Sequence, residues 1–239
     1  MAKFEKVNLL NYPIFFMTKE TKCPYLNNKS EKRLVTDLNN NPFLFDELSL
    51  SGFRRIENWM YRPSCSHCNE CKSYRVNINQ FSLTKSLKRV KKNNEEISTF
   101  LKKNLASEEY YNLFSTYQHK RHTGSSMSNM TFEDFKSMIE SSPINTQLYE
   151  FRNKEKKLIG LMLFDYQKDG LSAVYSFYDV KFEKSGLGNF MILELIELAK
   201  KLTLDYVYLG YYIKNAPRMN YKLKFKEGEL YSDGKWTKT

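Results

Sequence analysis

Cys65-x-x-Cys68-x-x-Cys71, with Cys23 upstream, gives the chain four thiols at spacings suited to a metal. A C-x-x-C turn lets both sulfurs face one ion. Three cysteines at this spacing and a distant fourth offer a tetrahedral Zn²⁺ or a cubane-cluster site, with His67 as an alternative ligand. Free structural or redox-sensitive thiols are the other reading, and a reduced compartment argues against disulfides. Lys184-Ser185-Gly186-Leu187-Gly188 is a second candidate: backbone N–H groups at a helix start favour a phosphate or carboxylate, although glycines there also allow plain turn geometry. Tyr117-Gln118-His119-Lys120-Arg121-His122 is a third. It reads as a general base or carboxylate clamp, or as a helix C-terminus whose basic residues favour the dipole. Lys85, Lys88, Arg89, Lys91 and Lys92 form a fourth, with no acid among residues 85–92, and read as a phosphate-contacting patch or a solvated face. No P-loop, dinucleotide fingerprint, serine elbow or HExxH motif occurs, so phosphoryl transfer and dinucleotide redox chemistry are poor fits.

The elements around these residues follow from pattern. Residues up to about Gln80 read as irregular, except for a helix from Asn41 to Ser51 with Pro42 at its first turn and Gly52 as its stop. Lys72 to Phe81 alternates as a strand. Ser107 caps a helix to Arg121 with Tyr110, Leu113, Phe114 and Tyr117 on one stripe. Thr131 to Glu140 is a helix with a capping-box arrangement at Thr131 and Asp134. Strands over 146–151, 158–166 and 171–178 follow, with a hairpin signal at Asp169-Gly170. An amphipathic helix from Leu187 to Leu202 leads to a strand over 205–213, making a βαβ unit with a parallel pair. Short strand-like pieces at 224–225 and 229–231 end the chain. A meander leading into strand, glycine loop, helix and strand is the plan of an N-acetyltransferase-type (GNAT) fold around its acyl donor. The expected class is therefore α+β. A mixed-sheet, GNAT-like acyltransferase domain spans residues 96–239, and a smaller cysteine-containing region, residues 1–95, packs on it.

Composition narrows the partners. Lys and Arg total 38 against 27 Asp and Glu, a net charge of +11. That excess points to a polyanionic or acidic partner, or to solubility alone. No apolar run approaches the ~20 residues of a membrane helix. The N-terminal MAKFEKVNLLNYPIFF carries an acid and no clear cleavage pattern, so it reads as mature protein in the cytoplasm. A monomer is expected.

Taken in order, the segments CPYL (Cys23–Leu26), SEKR (Ser30–Arg33), SGFRR (Ser51–Arg55), MYRPSCSHCNECKSYRV (Met60–Val76), YQHKRH (Tyr117–His122), AVYSFYDV (Ala173–Val180), SGLGNFMILELIELAK, YVYLGYYI (Tyr206–Ile213) and APRMNYKLKF (Ala216–Phe225) resemble the bacterial aspartate/glutamate leucyltransferases, a branch related to the eukaryotic arginyl-tRNA–protein transferases. The resemblance covers nearly the whole chain. It implies transfer of leucine, less readily arginine, from aminoacyl-tRNA to proteins beginning with Asp or Glu, marking them for N-degron degradation. Tyr175, Tyr178 and Asp179 are then the catalytic candidates, and Arg62, Arg75, Arg121 and His122 the acceptor-binding ones. Ser185, Gly186, Gly188, Lys85, Lys88, Arg89, Tyr211 and Lys222 are the candidates for the aminoacyl-tRNA. The ester is already activated, so no cofactor is required. Zn or an Fe–S cluster at Cys23, Cys65, Cys68 and Cys71 would be structural. The rival classes are a CoA-dependent GNAT acetyltransferase and a non-catalytic zinc-ribbon-like RNA-binding protein.

Overall fold

A computed structural model describes residues 13–239; most of the N-terminal stretch read as mature protein lies outside them. In chain order the strands are β1 (Phe16–Met17), β2 (Thr21–Lys22), β3 (Ser30–Glu31), β4 (Arg33–Asp37), β5 (Arg54–Ile56), β6 (Trp59–Pro63), β7 (Lys72–Asn77), β8 (Ser98–Lys103), β9 (Thr146–Arg152), β10 (Leu158–Tyr166), β11 (Gly170–Tyr178), β12 (Tyr206–Tyr212), β13 (Gly228–Ser232) and β14 (Lys235–Lys238). The α-helices are α1 (Phe45–Leu50), α2 (Lys85–Asn93), α3 (Glu108–Arg121), α4 (Phe132–Glu140) and α5 (Leu187–Lys201).

Eight strands form one mixed sheet in the order β14-β13-β7-β12-β11-β10-β9-β8. Its two faces are covered separately, as an apolar sheet requires. Leu87 of α2 and Leu187, Met191, Leu195 and Ala199 of α5 pack on Val76, Phe151, Leu171 and Val207. Tyr110, Phe114 and Tyr117 of α3 and Phe135 and Ile139 of α4 pack on Leu148, Leu161, Leu163 and Phe177. Ser107 caps α3 by accepting from the Tyr110 N–H, and Thr131 and Asp134 close the capping box of α4.

Three sequence expectations change. Residues before Gln80 are not irregular. They include a four-stranded sheet, β1-β4-β6-β5, over a small core of Leu38, Phe45, Leu48, Phe53 and Met60. β1 and β5 are too short to show alternation, and β4 and β6 do not alternate strictly. The boundary at residue 95 is crossed by β7, which pairs with β12 on one side and β13 on the other. Lys224 lies in a 3-10 helix, Pro217–Lys224, rather than in a strand.

The two sheets are tied by consecutive arginines of β5, whose side chains leave opposite faces of the strand. Arg55 forms a fork–fork pair with Asp165 of β10, Nε and Nη2 each 2.7 Å from a carboxylate oxygen, and Thr146 donates to the same carboxylate. Arg54 reaches β11 instead.

Candidate active site

β11 and β12 are the parallel pair, but they are in register only at Gly170–Tyr206, Leu171–Val207 and Ser172–Tyr208. Beyond that point the strands part. Arg54 fills the opening: its Nη2 donates to the carbonyl of Ala173 at 2.7 Å and, more weakly, to that of Val174 at 3.4 Å. On the β12 side the guanidinium lies against Gly210, where an added methyl would overlap it. Gly210 has φ +78° and sits beside a bulge in the β12–β7 pairing, so glycine is needed there for backbone and for space.

The carbonyl of the next residue, Tyr211, accepts a hydrogen bond from Lys222 Nζ. Lys222 is 3% exposed. Burial, and then Arg54, hold its pKa well below the ordinary lysine range. Its position follows from the 3-10 helix, where residues three apart share a face, so Lys222 and the buried Phe225 turn inward together. Neither Arg54 nor Lys222 enters an ion pair among the described residues.

A tyrosine cluster stands beside the opening. The Tyr175 hydroxyl oxygen accepts from Gln118 Nε2 at 2.6 Å, which leaves its own proton free to be donated. Gln118 is buried, and its Oε1 has no partner among the described residues. Tyr117 stacks at a tilt on Tyr178, centroids 5.3 Å apart. Burial, then Tyr178 and Tyr175, push the Tyr117 hydroxyl up. His122 meets Tyr117 edge-on, and burial, then Arg218 and Arg121, lower its pKa, so it is neutral at neutral pH.

Several expected site residues have other partners. Arg75 lies between Tyr206 and Trp236, 3.6 and 4.2 Å from their ring centres. Its donors go to Glu229 and to the Tyr208 hydroxyl, so no fork remains for a substrate carboxylate. Arg121 is paired with Glu183. Asp179 caps the 3-10 turn Val180–Phe182 through the Lys181 N–H at 3.1 Å, the turn role rather than that of a base. Tyr211 is buried, its hydroxyl 3.0 Å from the carbonyls of Gly52 and Tyr61, and cannot meet a nucleic acid backbone. Lys222 is also buried and holds the Tyr211 carbonyl rather than a position on the surface.

Ser185 and Asn94 bond each other through side chain and backbone, and Val90 sits on Gly186. The glycine loop is thus roofed by the end of α2 rather than open to a phosphate. It still links two features, because Gly188 lies against the Tyr178 ring, while Lys85, Lys88, Arg89, Lys91 and Lys92 are all exposed on α2. Among the described residues, Lys91 alone of these five has an ion-pair partner, Glu197 at 3.8 Å.

Cys23, Cys65, Cys68 and Cys71 line one cavity of about 360 Å³, with Arg62 and Ile213 on its wall. All four are unpaired thiols. Cys23 Sγ accepts the Leu26 N–H at 3.4 Å, and burial, followed by the other three thiols, pushes Cys71 up to about 12. As the side chains stand, no three His, Cys, Asp or Glu groups are arranged to hold a metal ion among the described residues. Four soft sulfurs around one cavity nonetheless fit Zn or an Fe–S cluster by donor type. Arg62 donates to the Ser51 carbonyl at 3.2 Å and covers the Phe53 ring, so it braces the small core.

The sheet thus opens between its parallel strands, with a basic helix packed nearby. Residues 21–89 match the family model "Arginine-tRNA-protein transferase, N terminus" and residues 109–232 match "Arginine-tRNA-protein transferase, C terminus". The chain belongs to the arginine-tRNA-protein transferase family. The aspartate/glutamate leucyltransferase of Dinoroseobacter shibae is 37% identical over 94% of this chain and 83% of its own length. That of Ruegeria pomeroyi is 39% identical over the same shares. Among solved structures, that of FemX aligns over 73% of this chain and 61% of its own at 8% identity, with a TM-score of 0.46, too slight a likeness to place any residue.

Proposed function

We propose that this protein transfers leucine from leucyl-tRNA to the α-amino group of polypeptides that begin with Asp or Glu. Family membership and the names of its relatives support the reaction. The observation that carries the placement of the site is the parting of β11 and β12 around Arg54, with Lys222 on the neighbouring carbonyl. In a GNAT-like arrangement this opening holds the acyl group. The reaction belongs in the cytoplasm, where charged tRNA is made, and a monomer suffices for it.

The aminoacyl ester needs no enzyme nucleophile. The enzyme aligns amine and carbonyl, removes a proton and steadies the oxyanion. Burial beside Arg54 favours the unprotonated form of Lys222, and in that form it accepts one proton from the acceptor's α-ammonium. The freed amine attacks the ester carbonyl carbon. The Tyr175 hydroxyl, held by Gln118, donates to the oxyanion. Collapse breaks the C–O bond to the tRNA ribose, whose oxygen takes the second amine proton. The products are the peptide bond and uncharged tRNA, and Lys222 returns its proton to solvent. Exposed cations of α2 hold the tRNA backbone, and the glycine loop relays that docking to Tyr178. Leucine incorporation from charged tRNA into Asp- and Glu-starting reporters tests the reading.

The four cysteines are proposed as a structural metal site that fixes the Cys23 segment against β6 and β7. Thiolates bind metal, so Cys71 must lose a proton that is held until about pH 12 without metal, and affinity should rise with pH. A chelator-competition titration with Zn²⁺ between pH 6 and pH 8 (roughly the range in which unshifted thiols begin to ionise) should show that rise, and Cys23→Ser should weaken binding. Affinity independent of both pH and Cys23 would exclude a four-thiolate site.

A further inference from the structure

We infer that Arg54, seated on Gly210, reads the carboxylate side chain of the acceptor's N-terminal residue. The inference deepens the proposed reaction and rests on it. Arg54 uses only Nη2 on protein carbonyls. Among the described residues its Nε and Nη1 have no acceptor, and no acid pairs with it. Burying much of a guanidinium without a counter-ion is unfavourable unless an anion completes it. Its neighbour is another basic group, Lys222 of the 3-10 helix, which donates to the Tyr211 carbonyl of β12 and is also without an acid among the described residues. Two adjacent basic groups with no carboxylate form a receptor lacking its anion.

The chemistry of the reaction says which anion fits. The opening lies between strands of the large sheet, and Arg54 reaches it from β5 through the interior. Phosphates of a duplex stay on the surface, where the α2 cations stand. The aminoacyl ester is uncharged at its carbonyl. The acceptor's side-chain carboxylate belongs to the same residue as the reacting amine, so it comes to the opening whenever that amine does. Glycine at 210 is part of the device, since any side chain there would displace the guanidinium. A carboxylate on Arg54 would also neutralise the charge that disfavours protonation of Lys222. Recognition of the acid would then raise the basicity of the group that takes the amine's proton.

The test has a binding arm and a transfer arm. Calorimetry with Glu-Ala and Gln-Ala peptides, on the full chain without tRNA, should show Glu favoured by about 10- to 100-fold, the range for one charge-assisted contact. Arg54→Gln should erase that preference, Arg54→Lys should keep part of it, and Gly210→Ala should lose it with Arg54 unaltered. In the transfer arm Arg54→Gln should raise KM for Glu-starting acceptors far more than for Gln-starting ones. Wild-type thermal melting of Arg54→Lys controls for folding. Equal binding of Glu and Gln peptides by wild type, or an undiminished preference in Arg54→Gln, would overturn the inference. Selective binding that depends on Arg54, without leucine transfer, would uphold it and sink the proposed reaction instead.

Discussion

Lys222→Met is expected to lower leucine transfer by about 10²- to 10⁴-fold, the usual contribution of a general base. The side chain keeps its length and loses its proton acceptor. Burial and Arg54 hold the Lys222 pKa well below the ordinary lysine value. The sign of the pH effect follows. The reaction needs unprotonated Lys222, so wild-type kcat/KM should rise with pH through the folded-state pKa and then level, and the variant should lose that limb. Stability should rise over the same window as activity. Between the folded-state pKa and the ordinary lysine value the unfolded chain binds this proton more readily than the folded chain, so the buried group costs stability there and the cost shrinks as pH rises toward the ordinary value. Lys222→Met should therefore melt no lower than wild type. A variant that keeps its transfer rate, or that loses it only by unfolding, would remove Lys222 from the chemistry.

Neutralising Lys85, Lys88, Arg89, Lys91 and Lys92 together should weaken tRNA binding strongly at moderate salt. Each phosphate contact releases counterions, so if about three of these side chains touch the backbone, the log–log salt slope should shrink by about 2 to 3 units. Lys91 should matter least, because Glu197 already faces it. The folded state should be little affected, because all five are exposed and Leu87 alone is buried on that helix. Binding curves over a salt series decide the matter, and an unchanged slope would make α2 only a solvated face.

Much of the fold was legible because its long elements repeat one period. The stripe of α3, its Ser107 cap and the meander of β9 to β11 are all local patterns. The N-terminal sheets were not legible, since β1 to β3 have two residues each, β4 and β6 do not alternate strictly, and all of them owe their conformation to partners distant in sequence. The same reason hides the site. Arg75 and Arg54 look alike in a sequence, and only the fold gives one Glu229 and leaves the other without an acid. One signal was present: Gly210 interrupts an otherwise aromatic and apolar strand, and a glycine there marks close approach by something else. Lys222 reads in the sequence as a candidate for the aminoacyl-tRNA, and its burial escapes that reading because a 3-10 helix of eight residues, with its period of three, is rare.

The central claim is aminoacyl transfer from tRNA to an acidic N-terminus. The most direct measurement is incorporation of radiolabelled leucine or arginine, supplied on charged tRNA, into reporters starting with Asp, Glu or Lys, with and without ribonuclease. Leucine should enter the Asp and Glu reporters only, and ribonuclease treatment before mixing should abolish it. Transfer that survives complete destruction of the tRNA, or leucine entering the Lys reporter as readily as the Glu reporter, would contradict the account.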